Sequence, residues 1–449
     1  MTAEIFAQLA EADACTVVVN DQGQHAVWAA GAAVPPGWHR RSAVMSRSGC
    51  LAAIEAAWKD LAPASVRQGH GTADNGRLVH ELFADQASLH PGTAAVVAGR
   101  GRVTYGELDE SSSRLAHYLA EAGVAPEVLV GVHLERGIGV ISAILAIMKA
   151  GGGYLPIDPS LPPERLNTIC SQLRPAVVIT AAADTFPYRD TRLVTLGGLA
   201  GDLARRPAAP PGAVRPHADN ICYAIHTSGS TGDPKAVAVS YGSLACTIGD
   251  MAAEYGITRE DRIAQVASLA FDTSLEQIFV ALTCGASLIL PPPGTMAPSG
   301  LLRGIQRRRV TVLDLTPAYW HRILALAVPG DERLRSVRLM ITGGEQADPA
   351  DCAAALRSAP WARLINAYGL TETGITSAAG DVGTALAAAP GTARIPVGKP
   401  AARARIMILD EKLDPVPAGA EGEICIGGRQ VARGYIGRPA LTAERFGPD

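Results

Sequence analysis

One stretch constrains this 449-residue chain more than any other, the segment from Tyr223 to Val237. An apolar, strand-like run (Ile221 to Ile225) breaks into Thr227-Ser228-Gly229-Ser230-Thr231-Gly232-Asp233-Pro234-Lys235, then returns to the alternating Ala236-Val-Ala-Val-Ser240. Glycines let a backbone approach an anion closely and turn its N–H groups inward, while the hydroxyls and one ammonium add donors. Such a loop suits the phosphates of a nucleotide. It is not a Walker A loop, because no Gly directly precedes Lys235 and no Ser or Thr follows it. No helix start is evident after it, so the pattern predicts a strand-loop-strand phosphate grip. A flexible surface hairpin is the alternative for a Gly/Ser loop.

The rest of the chain supplies the frame for such a loop. From Leu78 to about 380, helix-like and strand-like segments alternate, which implies parallel sheet covered by helices and an α/β class. Leu129–Leu134 and Ala176–Thr180 read as strands, and Ile138–Met148 as a buried helix too short to span a bilayer. After 390, short strands divided by turns (Arg405–Leu409, Gly422–Ile426, Gly434–Ile436) predict a distorted barrel or antiparallel sheet. Residues 1–66 form a unit of their own, with strands at Thr16–Val19 and Gln24–Trp28 and a helix carrying Leu51, Ile54 and Trp58 on one face. A polar, Gly-containing linker at 67–77 follows, with a typical reach of about 20 Å.

Composition excludes several classes. With 40 basic against 43 acidic residues there is no polycation signal, so nucleic acid and anionic membrane are not expected partners. The 8 cysteines are scattered without a CxxC pair, which argues against a zinc site or disulfide scaffold and for a reducing, cytoplasmic compartment. The N-terminus, Met-Thr-Ala-Glu-Ile-Phe, has no secretory pattern.

Thr227 to Lys235 resembles the signature loop of the adenylate-forming superfamily, which includes nonribosomal peptide synthetase adenylation domains, acyl-CoA synthetases and luciferases. Ala236 stands where Gly is usual. A second stretch, Asn366-Ala367-Tyr368-Gly369-Leu370-Thr371-Glu372-Thr373, ends a short apolar strand in hydroxyl and acid groups. On its own it reads either as a capped helix start or as a magnesium and phosphate site, because Mg²⁺ takes hard oxygen donors and often one carboxylate plus phosphates. It resembles the superfamily's NxYGPTE motif, with Leu370 in place of Pro. The resemblance implies Asn366 and Tyr368 at adenine, Thr371 at the α-phosphate and Glu372 on Mg²⁺. Thr227, Lys235, Thr371 and Glu372 would be the catalytic set. ATP would also touch Ser228, Gly229, Ser230, Thr231, Gly232, Gly343, Ala367 and Gly369.

Phe271-Asp272-Thr273-Ser274 follows the apolar stretch Ala264–Ala270. Asp272 could be an N-cap, or a buried carboxylate awaiting a substrate ammonium. In the resemblance, FDxS separates amino-acid adenylation domains from acyl-CoA synthetases, whose substrates have no α-amine. Motif spacing then places Thr273, Glu276, Asp314, Ile341, Gly343, Ala367, Ile375 and Thr376 around the substrate side chain. Two acids among small and apolar residues favour a basic amino acid such as lysine, ornithine or β-lysine. A dicarboxylic or polar residue, with a cation from outside this set, is the second expectation.

The N-terminal unit resembles an MbtH-like protein over nearly its whole length, through Asn20, Gly23-Gln24, Trp28, Val34-Pro-Pro-Gly37-Trp38, Cys50-Leu51, Ile54 and Trp58. Such proteins bind adenylation domains without doing chemistry. The resemblance implies a clasp in which Ala432, from Val431-Ala432-Arg433-Gly434-Tyr435, inserts between Trp28 and Trp38, within one chain or between two. Gly422 to Phe446 resembles the family's late core motif. A YRTGD motif, a hinge and a C-terminal subdomain with a catalytic lysine usually follow, and Asp449 precedes all of them. ATP binding with feeble turnover is therefore expected, with a carrier protein as the downstream partner. An acyl- or aryl-CoA ligase, or a non-catalytic chaperone module for adenylation domains, are the alternatives.

Overall fold

The computed structural model describes residues 14–67, 76–99, 101–183, 186–212, 215–227, 234–292, 294–410 and 413–448. The N-terminal unit is a three-stranded antiparallel sheet, with Cys15–Asn20 between His25–Ala29 and Trp38–Arg40. The helix Arg47–Ala57 covers one face of that sheet and buries Cys50 and Ile54 against Cys15, Val17 and Val27. Its start is set by Ser46, whose hydroxyl accepts from the Gly49 N–H at 3.2 Å.

The larger part is built on two sheets. The seven-stranded sheet runs Gly434–Tyr435, Lys235–Ser240, Ile221–Thr227, Gly153–Pro156, Leu129–His133, Val177–Thr180 and Arg192–Thr195, in that order. The centre of the nine-stranded sheet is parallel, pairing Arg363–Tyr368, Leu339–Gly343, Val312–Leu315, Arg262–Ala264 and Ser287–Leu290. Parallel strands need crossovers, usually helices that bury one face on the sheet. The helix Ile138–Lys149 is the extreme case, since nine of its residues are buried. Its terminal Lys149 is buried too, and donates to the Asp109 carboxylate (2.7 Å), the Asp109 carbonyl (2.9 Å) and the hydroxyls of Ser112 (2.7 Å) and Ser113 (2.9 Å). A buried ammonium survives only when its donors are satisfied in this way.

After residue 390 the chain forms short antiparallel pieces, as the turn-rich sequence implied. Ala404–Leu409 pairs with Glu423–Gly428 in a two-stranded sheet. Lys399–Pro400 and Gly434–Tyr435 instead extend the edges of the two large sheets, so the barrel-like closure is partial. No helix among the described residues is long and apolar enough to cross a membrane.

Candidate active site

Ligands of open α/β sheets collect outside the carboxyl ends of the strands, and the two large sheets point such ends at one cavity of about 1470 Å³. His226, Thr227 and Lys235 come from the seven-stranded sheet; Asp314, Ile341, Gly343 and Ala367 come from the nine-stranded one. Thr227 faces Lys235 across an antiparallel pair, so the segment between them joins strand to strand. Ser228, Gly229, Ser230, Thr231, Gly232 and Asp233 lie outside the described residues. Lys235 Nζ stands 5.1 Å over the ring of Tyr435.

Thr371–Thr373 form a single 3₁₀ turn, not a longer helix, and Thr371 and Glu372 line the cavity. Two bonds fix Glu372. Its Oε1 accepts from the Tyr435 hydroxyl at 2.8 Å, and its carbonyl accepts from the Ala432 N–H at 2.8 Å. One carboxylate beside a threonine hydroxyl is a sparse set of hard oxygen donors. It fits Mg²⁺, which usually takes one or two carboxylates and completes its shell with phosphate and water.

Glycine is required at two points of the same wall. A Cβ on Gly369 would meet the Ile375 carbonyl oxygen at 1.8 Å, and one on Gly343 would meet the Ala367 oxygen at 2.4 Å. Ala367 and Gly369 face the cavity. Asn366 and Tyr368, their alternates along the strand, are not part of its lining. Asn366 instead donates its side-chain N–H to the Pro396 carbonyl at 2.9 Å.

The acid pocket is built on the helix Thr273–Thr283. Asp272 caps it, with Oδ1 accepting from the Thr273 N–H at 2.9 Å, while Oδ2 is buried with no well-formed hydrogen bond among the described residues, and the Thr371 hydroxyl beside the carboxyl works against the rise that burial imposes on it. The two readings of this residue are thus compatible. Glu276 is also buried. Its Oε1 accepts from the Tyr255 hydroxyl at 2.9 Å, and Oε2 has no well-formed hydrogen bond among the described residues, although the Thr376 hydroxyl as well as Tyr255 works against the rise in its carboxyl. Asp314 Oδ2 accepts from Gln277 Nε2 at 3.0 Å. Burial, then the neighbouring Asp314 charge, pushes the Glu276 carboxyl up to about 8. Burial pushes Asp314 up to about 6, and Asp272 is raised for the same reason. Thr273, Ile341, Ile375 and Thr376 line the same space as these acids.

The junction with the N-terminal unit corrects one expectation. Ala432 is buried in the main core, whereas Ala443, on the helix Pro439–Arg445, is fully buried in the N-terminal unit's cluster with Cys15, Val17, Val27, Cys50, Ile54 and Trp58. The inserted alanine is Ala443, and the tryptophan of that cluster is Trp58. Trp28 and Trp38 are half-buried and border the cavity. Ala432 is held inward because its N–H is committed to the Glu372 carbonyl. Around Ala443, Arg47 pairs with Glu444, the Ala440 N–H donates to Glu55 Oε2 at 3.1 Å, and Ser65 donates to Asp219 Oδ2 at 2.9 Å.

A family model described as AMP-binding enzyme matches residues 83–436 of the chain, and one described as MbtH-like protein matches residues 9–70. The chain belongs to the AMP-binding enzyme family. Its N-terminal unit is an MbtH-like domain. The AMP-binding part is 38% identical to chondramide synthase of Chondromyces crocatus over 384 residues, covering 83% of this chain and 9% of that one. It is 34% identical to tyrocidine synthase 1 of Brevibacillus parabrevis over 388 residues, covering 83% and 33%. The chain thus spans a third or less of the length of these relatives. Among solved structures it is similar to the nonribosomal peptide synthetase FmoA3 in its alpha-methyl-L-serine-AMP bound form, with 30% identity, a TM-score of 0.77 and coverage of 84% and 42%. It is also similar to the N-terminal subdomain of NpsA from Klebsiella oxytoca, with 27% identity, a TM-score of 0.74 and coverage of 84% and 92%.

Four residues of this AMP-binding core escaped the sequence reading. Gln277 orients Asp314, and its own Oε1 accepts from the Val266 (2.9 Å) and Ala267 (3.1 Å) N–H groups. Tyr255 holds Glu276, and Tyr435 holds Glu372. His226 borders the cavity with Nε2 unpartnered among the described residues, and burial followed by the Arg165 charge lowers its imidazole to about 4. His226 and Tyr435 each stand inside a stretch already singled out, and Gln277 adjoins Glu276, so their neighbours were the available signal. Tyr255 offered none.

Proposed function

We propose that this chain activates an amino acid as its adenylate, with residues 1–66 serving as a docking unit and 78–449 as the activating core. The observation that carries the reading is the orphaned Asp272 Oδ2, a buried carboxylate oxygen in the same cavity as Thr371 and Glu372. A buried acceptor without a donor is costly, and an α-ammonium would supply the donor. The substrate carboxylate oxygen then attacks the α-phosphorus of ATP, forming a C(O)–O–P linkage as the bond to pyrophosphate breaks. Thr227, Lys235 and Thr371 bind the phosphates, and Mg²⁺ on Glu372 would offset their charge. Orientation of both reactants by fixed groups supplies much of the acceleration.

The second orphaned oxygen, Glu276 Oε2, favours a substrate with a further ammonium on its side chain. Lysine, ornithine and β-lysine are the expected class. Calorimetric titration of the chain with these, with aspartate and with a benzoate, each beside a non-hydrolysable ATP analogue, tests both levels. Binding of benzoate and no amino acid overturns the amino-acid reading. Binding of aspartate, with lysine, ornithine and β-lysine silent, overturns the basic side chain alone.

A further inference from the structure

The helix Pro439–Arg445 has only seven residues, too few to hold its own conformation or direction. One side of it is fastened to the N-terminal unit through buried Ala443, the Arg47–Glu444 pair and the Ala440–Glu55 bond. Its other side is fastened to the nucleotide site. Thr442 Oγ1 accepts from the Tyr435 N–H at 3.0 Å while donating to the Arg438 carbonyl at 2.9 Å. Phe446 meets the Tyr435 ring edge-on, with centroids 5.5 Å apart. The contact is close enough that a Cβ on Gly434, whose φ is +130°, would meet Thr442 Cγ2 at 2.3 Å. Tyr435 then delivers its hydroxyl to Glu372 Oε1 and its ring face to Lys235.

We propose that Tyr435 is a positioning residue for the Glu372 carboxylate, and that docking of the N-terminal unit on the Pro439–Arg445 helix holds Tyr435 in place. The proposal rests on the reading of Glu372 as the magnesium carboxylate. It gives a unit without chemistry of its own a physical route to the nucleotide site. That route runs through one short helix, one hydroxyl and one carboxylate. The Ala432 N–H on the Glu372 carbonyl fixes the backbone of the same carboxylate independently, so losing the Tyr435 hydroxyl frees the side chain and leaves the turn intact.

The test is titration calorimetry of the full chain with ATP, with and without Mg²⁺. Tyr435→Phe removes only the hydroxyl. It should weaken Mg²⁺-dependent ATP affinity roughly tenfold, the value of one hydrogen bond to a charged group, and leave metal-free ATP affinity unchanged. Ala443→Glu should produce the same selective loss, and the double variant should lose no more than the larger single one. Where Ala443→Glu does not fold, Arg47→Ala replaces it. Unchanged Mg²⁺ dependence in Tyr435→Phe overturns the proposal, and so do two losses that multiply. Glu372→Gln separates the layers. If it keeps the Mg²⁺ dependence, the carboxylate reading fails and the proposal with it. If it abolishes that dependence while Tyr435→Phe retains it, the proposal alone fails.

Discussion

Replacing Glu276 by glutamine should stabilise the free protein and make it indifferent to a basic side chain. The carboxyl is fully buried, and burial, then Asp314, raises it from 4.5 to about 8. The unfolded chain releases that proton near the ordinary value, so between about pH 4.5 and 8 the folded state holds more protons than the unfolded one. Stability therefore falls as pH rises through this window. Below it both states are protonated and nothing is lost; above it the loss is complete. At 1.36 kcal/mol per pH unit the cost is roughly 3 kcal/mol at pH 7 and on the order of 5 kcal/mol beyond pH 8. Glutamine cannot ionise, so the melting temperature of Glu276→Gln should match the parent near pH 4.5 and exceed it increasingly towards pH 8.

A bound side-chain ammonium reverses this balance, because it favours the ionised carboxylate. A lysine-like amine stays charged throughout, its own pKa being about 10.4. Each basic ligand bound near pH 7 should therefore release up to one proton. Affinity should rise by up to about tenfold per pH unit between pH 6 and 8, flattening once Glu276 is ionised in the free protein. Glu276→Gln should lose this slope and bind the ligand about tenfold to a hundredfold more weakly at pH 8. Calorimetry in buffers of different ionisation enthalpy measures both affinity and proton release. A parent affinity that is flat from pH 6 to 8, or equal affinity in the variant, would refute the reasoning.

Three other substitutions probe the frame. Ala443→Glu buries a carboxylate in the N-terminal unit's core, where the cost of an unpaired charge is several kcal/mol; amides of Arg47–Ala57 should lose hydrogen-exchange protection, and retained protection would contradict the Ala443 contact. Arg433 donates to both carboxylate oxygens of Glu127, at 2.9 and 2.8 Å, from a nearly buried position. Arg433→Met should lower stability by about 3 kcal/mol, and adding Glu127→Gln should recover part of that in a denaturant titration. Gly369→Ala must displace the Ile375 carbonyl, so it should weaken both ATP and amino-acid binding, and calorimetry showing either unchanged would place the wall elsewhere.

What the sequence made legible was local. The apolar strand before Thr227, the alternating strand after Lys235 and the unbroken apolar Ile138–Met148 each declare themselves within a few residues, because backbone periodicity acts at that range. The acids Asp272, Glu276 and Asp314 were likewise identifiable as a group through motif spacing. What could not be read is which alternate of a strand faces inward, and what reaches a site from far along the chain. Asn366 and Ala367 are neighbours, yet one donates to Pro396 and the other borders the cavity. Ala432 and Ala443 stand in the same motif, and only the packing of the Pro439–Arg445 helix assigns one to the nucleotide side and the other to the N-terminal unit. The hydroxyls on Glu276 and Glu372 come from Tyr255 and Tyr435, 21 and 63 residues away. Both tyrosines do the same physical task of holding one carboxylate oxygen and leaving the other available. Carboxylates with one oxygen already committed present a single direction to a cation. On the reading proposed above, these two phenols set the direction in which each acid meets a cation, while the acids themselves supply the charge.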